Sequence, residues 1–191
     1  MIELGKWVFK NRGWLPVPIL FLAALYPSYN TSKTTIITGI LLVLIGEAGR
    51  LWSVGFAGGI TRTRKGDLHE LIVTGPFAIV RNPIYISNMI MYSGASLMMG
   101  VPTLLPFVLL YFFIEYSLII IYEESILLNS FGTTYEEYKK AVSRWIPNFS
   151  IKIEKSKHEF NLKELITAEK STFNSIIGIF LISLIKYFIL G

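Results

Sequence analysis

Cysteine is absent from the 191 residues. Disulfides, thiolate nucleophiles and cysteine-bound zinc or iron–sulfur clusters are therefore excluded, and the chain carries no sign of its redox compartment. Only two histidines are present, His69 and His158, so no metal site is expected. Charge is sparse as well: Asp, Glu, Lys and Arg make up 16% of the chain, against about 25% in soluble domains. There is no internal repeat and no low-complexity segment.

Apolar residues fill the space that charge leaves. They reach 52%, mean hydropathy is positive, and the surplus has to face lipid. They fall into blocks at 13–29, 34–57, 84–101, 102–122 and 172–190, each approaching the ~20 residues that cross a bilayer core. Backbone groups in hydrocarbon must be satisfied within their own segment, so runs this long predict helices. The expected class is all-α, an integral membrane protein of about five spans. The first block carries Pro16, Pro18 and Pro27 and no small-residue cleavage site, so it is read as a retained helix and not as a secretory signal.

The net charge of +5 reads as orientation rather than nucleic-acid affinity, because the basic residues flank the spans. Lys6, Lys10 and Arg12 precede the first span; Arg62, Arg64, Lys65 and Arg81 lie between the second and third; eight more basic residues lie between the fourth and fifth. Those regions, with the N-terminus, are expected in the cytoplasm. Residues 1–57 then form two N-terminal spans, 58–171 a core of two spans with a cytoplasmic cap, and 172–191 a last span.

Local signals refine the core. Gly100-Val101-Pro102 forces the third and fourth spans into an antiparallel hairpin. Gly75-Pro76 marks a turn, and Asn82-Pro83 reads as an N-cap followed by proline at the first helical position. Gly132 is expected to end an extension of the fourth span through Phe131. Thr134-x-x-Glu137 resembles a capping box for a short helix to about Ser143, which Pro147 stops. Asn161-x-x-Glu164 suggests another short helix.

The polar residues concentrate on the third and fourth spans. Glu115 lies in mid-span and Glu123-Glu124 at its end, with Glu115 and Glu123 eight positions apart on nearly one face. Such carboxylates mark either a functional interior or a structural pair with a buried arginine or tyrosine. Glu47 and Arg50 can neutralise one another at i and i+3. Tyr85, Asn88, Tyr92 and Ser96 form a stripe for interhelical hydrogen bonds or ligand contact. His69, Arg81, Asn82, Glu123 and Glu124 can converge at one membrane face, offering basic and acidic groups together. Taken singly, each of these is ordinary.

The ordered set is specific. His69-Glu70-Leu71-Ile72-Val73-Thr74-Gly75-Pro76-Phe77, then Arg81-Asn82-Pro83-Ile84-Tyr85, then Glu123-Glu124, then Phe131-Gly132-x-x-Tyr135-x-x-Tyr138, resembles the isoprenylcysteine carboxyl methyltransferase family, and more loosely the membrane phospholipid methyltransferases. The resemblance covers about residues 62–147. It implies S-adenosylmethionine as cofactor, released as S-adenosylhomocysteine, in a pocket formed by His69, Glu70, Leu71, Ile72, Phe77, Asn82, Pro83, Ile84, Tyr85 and Glu123, with Arg62 at its rim. Asn82 stands where the family commonly has histidine, and Ile119 where prenylcysteine-methylating relatives carry a basic residue.

A carboxylate acceptor is already ionised at neutral pH and needs placement more than a base. Arg81 or Arg144 could orient it by a bidentate contact, whereas an amine acceptor would lose a proton to Glu124 or Glu115. Arg144-Trp145 reads equally well as an interfacial anchor. The expected partners are a lipophilic acceptor entering from the bilayer and membrane lipid, with no nucleic acid and no obligatory protein. A nicotinamide-dependent membrane reductase and a non-enzymatic adaptor are the rival readings.

Overall fold

The computed structural model describes residues 1–26, 31–57, 70–150, 177–183 and 185, and among them every regular element is helical. In chain order these are α1 (Ile2–Asn11), α2 (Pro16–Leu25), α3 (Lys33–Ala57), a one-turn α4 (Pro76–Ile79), α5 (Pro83–Met98), a 3₁₀ turn at Pro102–Leu104, α6 (Leu105–Phe131) and α7 (Thr133–Ala141). Residues 177–183 are helical too. The short helix expected from Asn161 and most of the expected last span lie outside the described residues, as do Arg62 and His69.

α3 and the stretch Pro102–Phe131 are each long and apolar enough to cross a bilayer, and Pro16–Leu25 is a shorter apolar helix. Only 39% and 33% of the two apolar windows are buried, too little for core helices of a soluble protein. Large side chains such as Phe21, Leu44, Phe107 and Leu110 stand exposed on several helices. Such a surface suits a surrounding of lipid in the place of water.

The first expected span, 13–29, is corrected by the structure. Residues 12–15 form a turn, because Pro16 has no N–H to donate and its ring would clash with the carbonyl four residues earlier. The chain instead climbs α6 in two pieces. Gly5 of α1 lies against Leu118 and Tyr122, the Leu15 carbonyl accepts from the Tyr111 hydroxyl at 2.8 Å, and Ala23 of α2 clusters with Met99 and Val101. Lys6 and Lys10 lie on α1 and Arg12 just after it, all ahead of the apolar helix α2.

α3 and α5 approach backbone to backbone. A Cβ on Gly39 would sit 2.5 Å from the Met98 nitrogen, and one on Gly94 would sit 2.6 Å from the Gly39 oxygen and 2.7 Å from the Val43 nitrogen. In lipid, where apolar transfer contributes nothing between helices, such close packing is what holds a pair together. α5 and α6 meet through stacked rings. Tyr85 lies on Tyr116 at 4.7 Å, Tyr116 on Phe112 at 5.6 Å, and Phe112 on Tyr92 at 3.9 Å and 7°.

The hairpin at Gly100 forms as expected, with φ of 73° at that glycine, and Gly132 ends α6 with φ of 50°. One capping expectation is corrected: α7 opens at Thr133 behind Gly132 with no side-chain cap, so Thr134 does not build a capping box, and the helix stops at Ala141. Asn82 takes the N-cap position of α5 with Pro83 at the first helical position, as expected, but makes no side-chain cap hydrogen bond; its side-chain amide donates to the Arg144 carbonyl at 3.1 Å.

Substitution of Gly39 by alanine should cost about 1–3 kcal/mol, since the added methyl meets backbone that cannot yield. The same change at Gly13, where nothing lies within 4 Å, should be close to neutral. Thermal unfolding of both variants in detergent checks the contrast.

Candidate functional site

The polar site gathers where α5 begins and α6 ends. Two short segments tie the region after α7 to the start of α5. The Arg81 amide donates to the Ser143 carbonyl and the Asn148 amide to the Ile79 carbonyl, both at 2.9 Å. The Tyr138 hydroxyl donates to the Phe77 carbonyl at 2.7 Å. The cap is thus anchored by backbone groups of the very segment that leads into α5.

Glu124 is the hub. Arg144 donates to it through Nε at 3.1 Å and Nη2 at 2.5 Å, a bidentate pair, and Arg81 Nη1 lies 3.2 Å from its Oε1. The Arg81 contact is an ion pair by distance without hydrogen-bond alignment. Arg81 Nε and Nη1 are buried and make no hydrogen bond, and the buried Thr74 hydroxyl is in the same condition. Such unspent donors are uncommon in a buried position and mark a place for an acceptor.

Glu123, the next residue, turns about 100° around the helix and meets different neighbours. The Tyr85 hydroxyl donates to its Oε1 at 2.9 Å. Glu115, two turns back, is buried with neither oxygen hydrogen-bonded, among Tyr92, Tyr111 and Tyr116. Glu47 and Arg50 form the expected pair within α3, at 2.9 and 3.2 Å.

The structure therefore brings together Arg81, Asn82, Tyr85, Glu123, Glu124 and Arg144. Pro83 and Phe77 lie in the same neighbourhood, at the start of α5 and in α4. Ile84 points elsewhere, packing on Val54 of α3. Glu70 is exposed and Leu71 and Ile72 are half-buried in the strand-free segment before α4. In the family-matched position before the paired glutamates, Ile119 is fully buried in the apolar core.

Two participants were not singled out from sequence. Tyr135 is buried beside Arg81 and Glu124; burial, then the Glu124 charge, push its phenol up to about 12 against the opposing pull of the arginines, so it stays a proton donor at neutral pH. It belonged to the Tyr135-x-x-Tyr138 pattern, which signalled it. Arg12 lies within electrostatic range of both Glu123 and Tyr85. Nothing in the local sequence reveals that, because the two partners are far along the chain.

An apolar groove of about 440 Å³ lies between α3, α5 and α6, bordered by Leu42, Met89, Ile90, Ser93, Leu109, Phe113 and Trp145. Trp145 directly follows Arg144, so one dipeptide borders both the groove and the ionic cluster, and its ring lies 5.3 Å from that of Phe113.

Comparison with known proteins places this geometry. Residues 34–134, from the start of α3 through α6, match the family model described as phospholipid methyltransferase. A probable protein-S-isoprenylcysteine O-methyltransferase of Oryza sativa subsp. indica is 31% identical over 129 residues, covering 65% of this chain and 68% of that protein. The protein-S-isoprenylcysteine O-methyltransferase of Schizosaccharomyces pombe is 36% identical over 153 residues, covering 77% and 61%. The nickel-cobalt-cadmium resistance protein NccN of Alcaligenes xylosoxydans xylosoxydans is 28% identical over 120 residues, covering 63% of this chain. The chain spans about half the length of that last relative, 53%. No solved structure matches the chain. The matched segment carries α3, α5 and the paired glutamates of α6, and by that match the chain belongs to the phospholipid methyltransferase family, among its isoprenylcysteine carboxyl methyltransferase members.

Proposed function

We propose that the chain is a multi-pass membrane methyltransferase that uses S-adenosylmethionine and methylates a lipophilic acceptor arriving from the bilayer, foremost the carboxylate of a prenylcysteine-like molecule. The observation that carries this reading is the Arg144-Trp145 dipeptide, whose arginine binds Glu124 in the ionic cluster and whose tryptophan borders the apolar groove. Five crossings, with the N-terminus, the cap and the site on the cytoplasmic side, fit the distribution of basic residues.

The residues present suit the cofactor. It carries a carboxylate, an ammonium, a sulfonium and an adenosine. Arg81 offers buried donors without acceptors, and Glu123 offers a carboxylate held by Tyr85. Arg62, His69, Glu70, Leu71, Ile72, Phe77, Asn82 and Pro83 would complete the pocket. When bound, the cofactor supplies an electrophilic methyl group. The chain's own part is placement: Arg81 and Arg144, fixed on Glu124, would present positive charge to the acceptor, and the apolar walls would keep water from it. A carboxylate held there needs no proton removed.

An amine acceptor is the second reading, supported by Glu115, a buried carboxylate with no hydrogen bond. Transfer of labelled methyl to a fractionated lipid extract separates the two: a base-labile methyl ester marks a carboxylate acceptor, a stable N-methyl group an amine.

Calorimetry should detect S-adenosylhomocysteine binding to the unaltered protein and its loss in folded Glu123→Ala and His69→Ala; binding unchanged in both removes this pocket. Ile90→Trp, which narrows the groove, should raise KM for the acceptor about tenfold while cofactor affinity holds, because a bulky wall excludes the chain and not the nucleotide. Glu124→Gln leaves two guanidiniums uncompensated and should lower stability by about 3–5 kcal/mol, read by denaturation in detergent.

A further inference from the structure

The cluster around Glu124 has an obvious source of positive charge, since Arg81 and Arg144 both face that carboxylate. Glu123 is served differently. Tyr85 of α5 donates one hydrogen bond to it, Glu124 beside it on α6 repels it, and an ionised carboxylate at this depth needs a cation close by.

That cation comes from the N-terminal helix. Gly5 lets α1 lie on α6, where an added Cβ would run into the Leu118 carbonyl and come within 3.0 Å of Tyr122 Cβ. Val8 enters the core with Ile119 and Ile120. One position on, the Phe9 ring lies 5.5 Å from that of Tyr122, the residue before Glu123. The Arg12 guanidinium rests on Phe9 with its Cζ 3.9 Å from the ring centre. Arg12 thus turns back along the inner face of α1, within electrostatic range of Glu123 and Tyr85. The bend that Pro16 imposes just after it ends α1 at this level.

We propose that Arg12 is a positioning residue of the cofactor site, holding the Glu123 carboxylate from the α1 side while Tyr85 holds it from α5. The site is then completed by a segment that lies outside the family-matched region, and the turn at residues 12–15 has a purpose, to end α1 at Asn11 so that Arg12 comes within range of Glu123. A planar guanidinium suits the task because it can stack on Phe9 and still direct donors outward.

This inference rests on the methyltransferase reading, and the experiment separates the two. S-adenosylhomocysteine binding is measured by calorimetry for the unaltered chain, Arg12→Gln, Arg12→Lys, Glu123→Gln and the Arg12→Gln/Glu123→Gln pair, each with its unfolding temperature in detergent. Arg12→Gln should weaken binding roughly tenfold, Arg12→Lys, which keeps the charge but not the stacking plane, should weaken it less, and in the Glu123→Gln background Arg12→Gln should add no further loss. Phe9→Leu, which takes away the ring beneath the guanidinium and leaves the charge, should weaken binding about threefold and keeps the test open if Arg12→Gln does not fold. Unchanged binding in Arg12→Gln and Phe9→Leu, or fully additive losses in the double variant, overturns the role given to Arg12. Absence of binding by the unaltered protein overturns the methyltransferase reading and this inference with it.

Discussion

Glu124 faces two guanidiniums at the end of α6, and most of the cap depends on that one carboxylate. Arg81 comes from the segment before α5 and Arg144 from the segment after α7, so a single side chain joins three stretches of chain. Burying such ions is costly, and the cost is offset by bidentate geometry and by the backbone bonds from Arg81 to Ser143 and from Asn148 to Ile79 that fix the arginines in place. A cap built this way contributes geometry more than stability. It holds polar groups from three stretches of chain in one arrangement.

The helices beneath set the depth at which this happens. Glycines at positions 39, 46 and 94 allow α3 and α5 to touch through backbone, and the run Tyr85, Tyr116, Phe112, Tyr92 locks α5 to α6. Both contacts work without water-driven association, which lipid denies to helices. Because the stack begins at Tyr85, whose hydroxyl also binds Glu123, the packing of the bundle and the polarity of the site share one side chain. A shift of α5 along α6 would move both together.

Two adjacent carboxylates divide the labour by helical geometry. Successive residues point about 100° apart, so Glu124 turns to the cap arginines while Glu123 turns to α5 and the N-terminal helix. Trp145, next in the chain to Arg144, borders the apolar groove, so the chain itself links a charged cluster to a hydrophobic surface.

The helical class, the hairpin at Gly100, the end of α6 at Gly132 and the Glu47–Arg50 pair were legible in the sequence, because each follows from local rules: hydropathy, glycine at positive φ, and i,i+3 spacing. The motif carrying Arg81, Asn82, Tyr85, Glu123 and Glu124 identified which polar residues matter. Their partners were not legible. Asn82, besides standing at the N-cap of α5, gives its side-chain amide to the Arg144 carbonyl, Thr134 caps nothing, and the first apolar helix is shorter than its hydropathy suggests because Pro16 breaks it. Sequence by itself determined that this chain lives in a membrane and which side chains carry charge there, since the solvation of apolar and charged groups is a property of each residue. Only the tertiary structure decided that Arg12 stands by Glu123 and that Ile84 packs on α3, because those relations arise from where helices distant in the chain come to lie against each other.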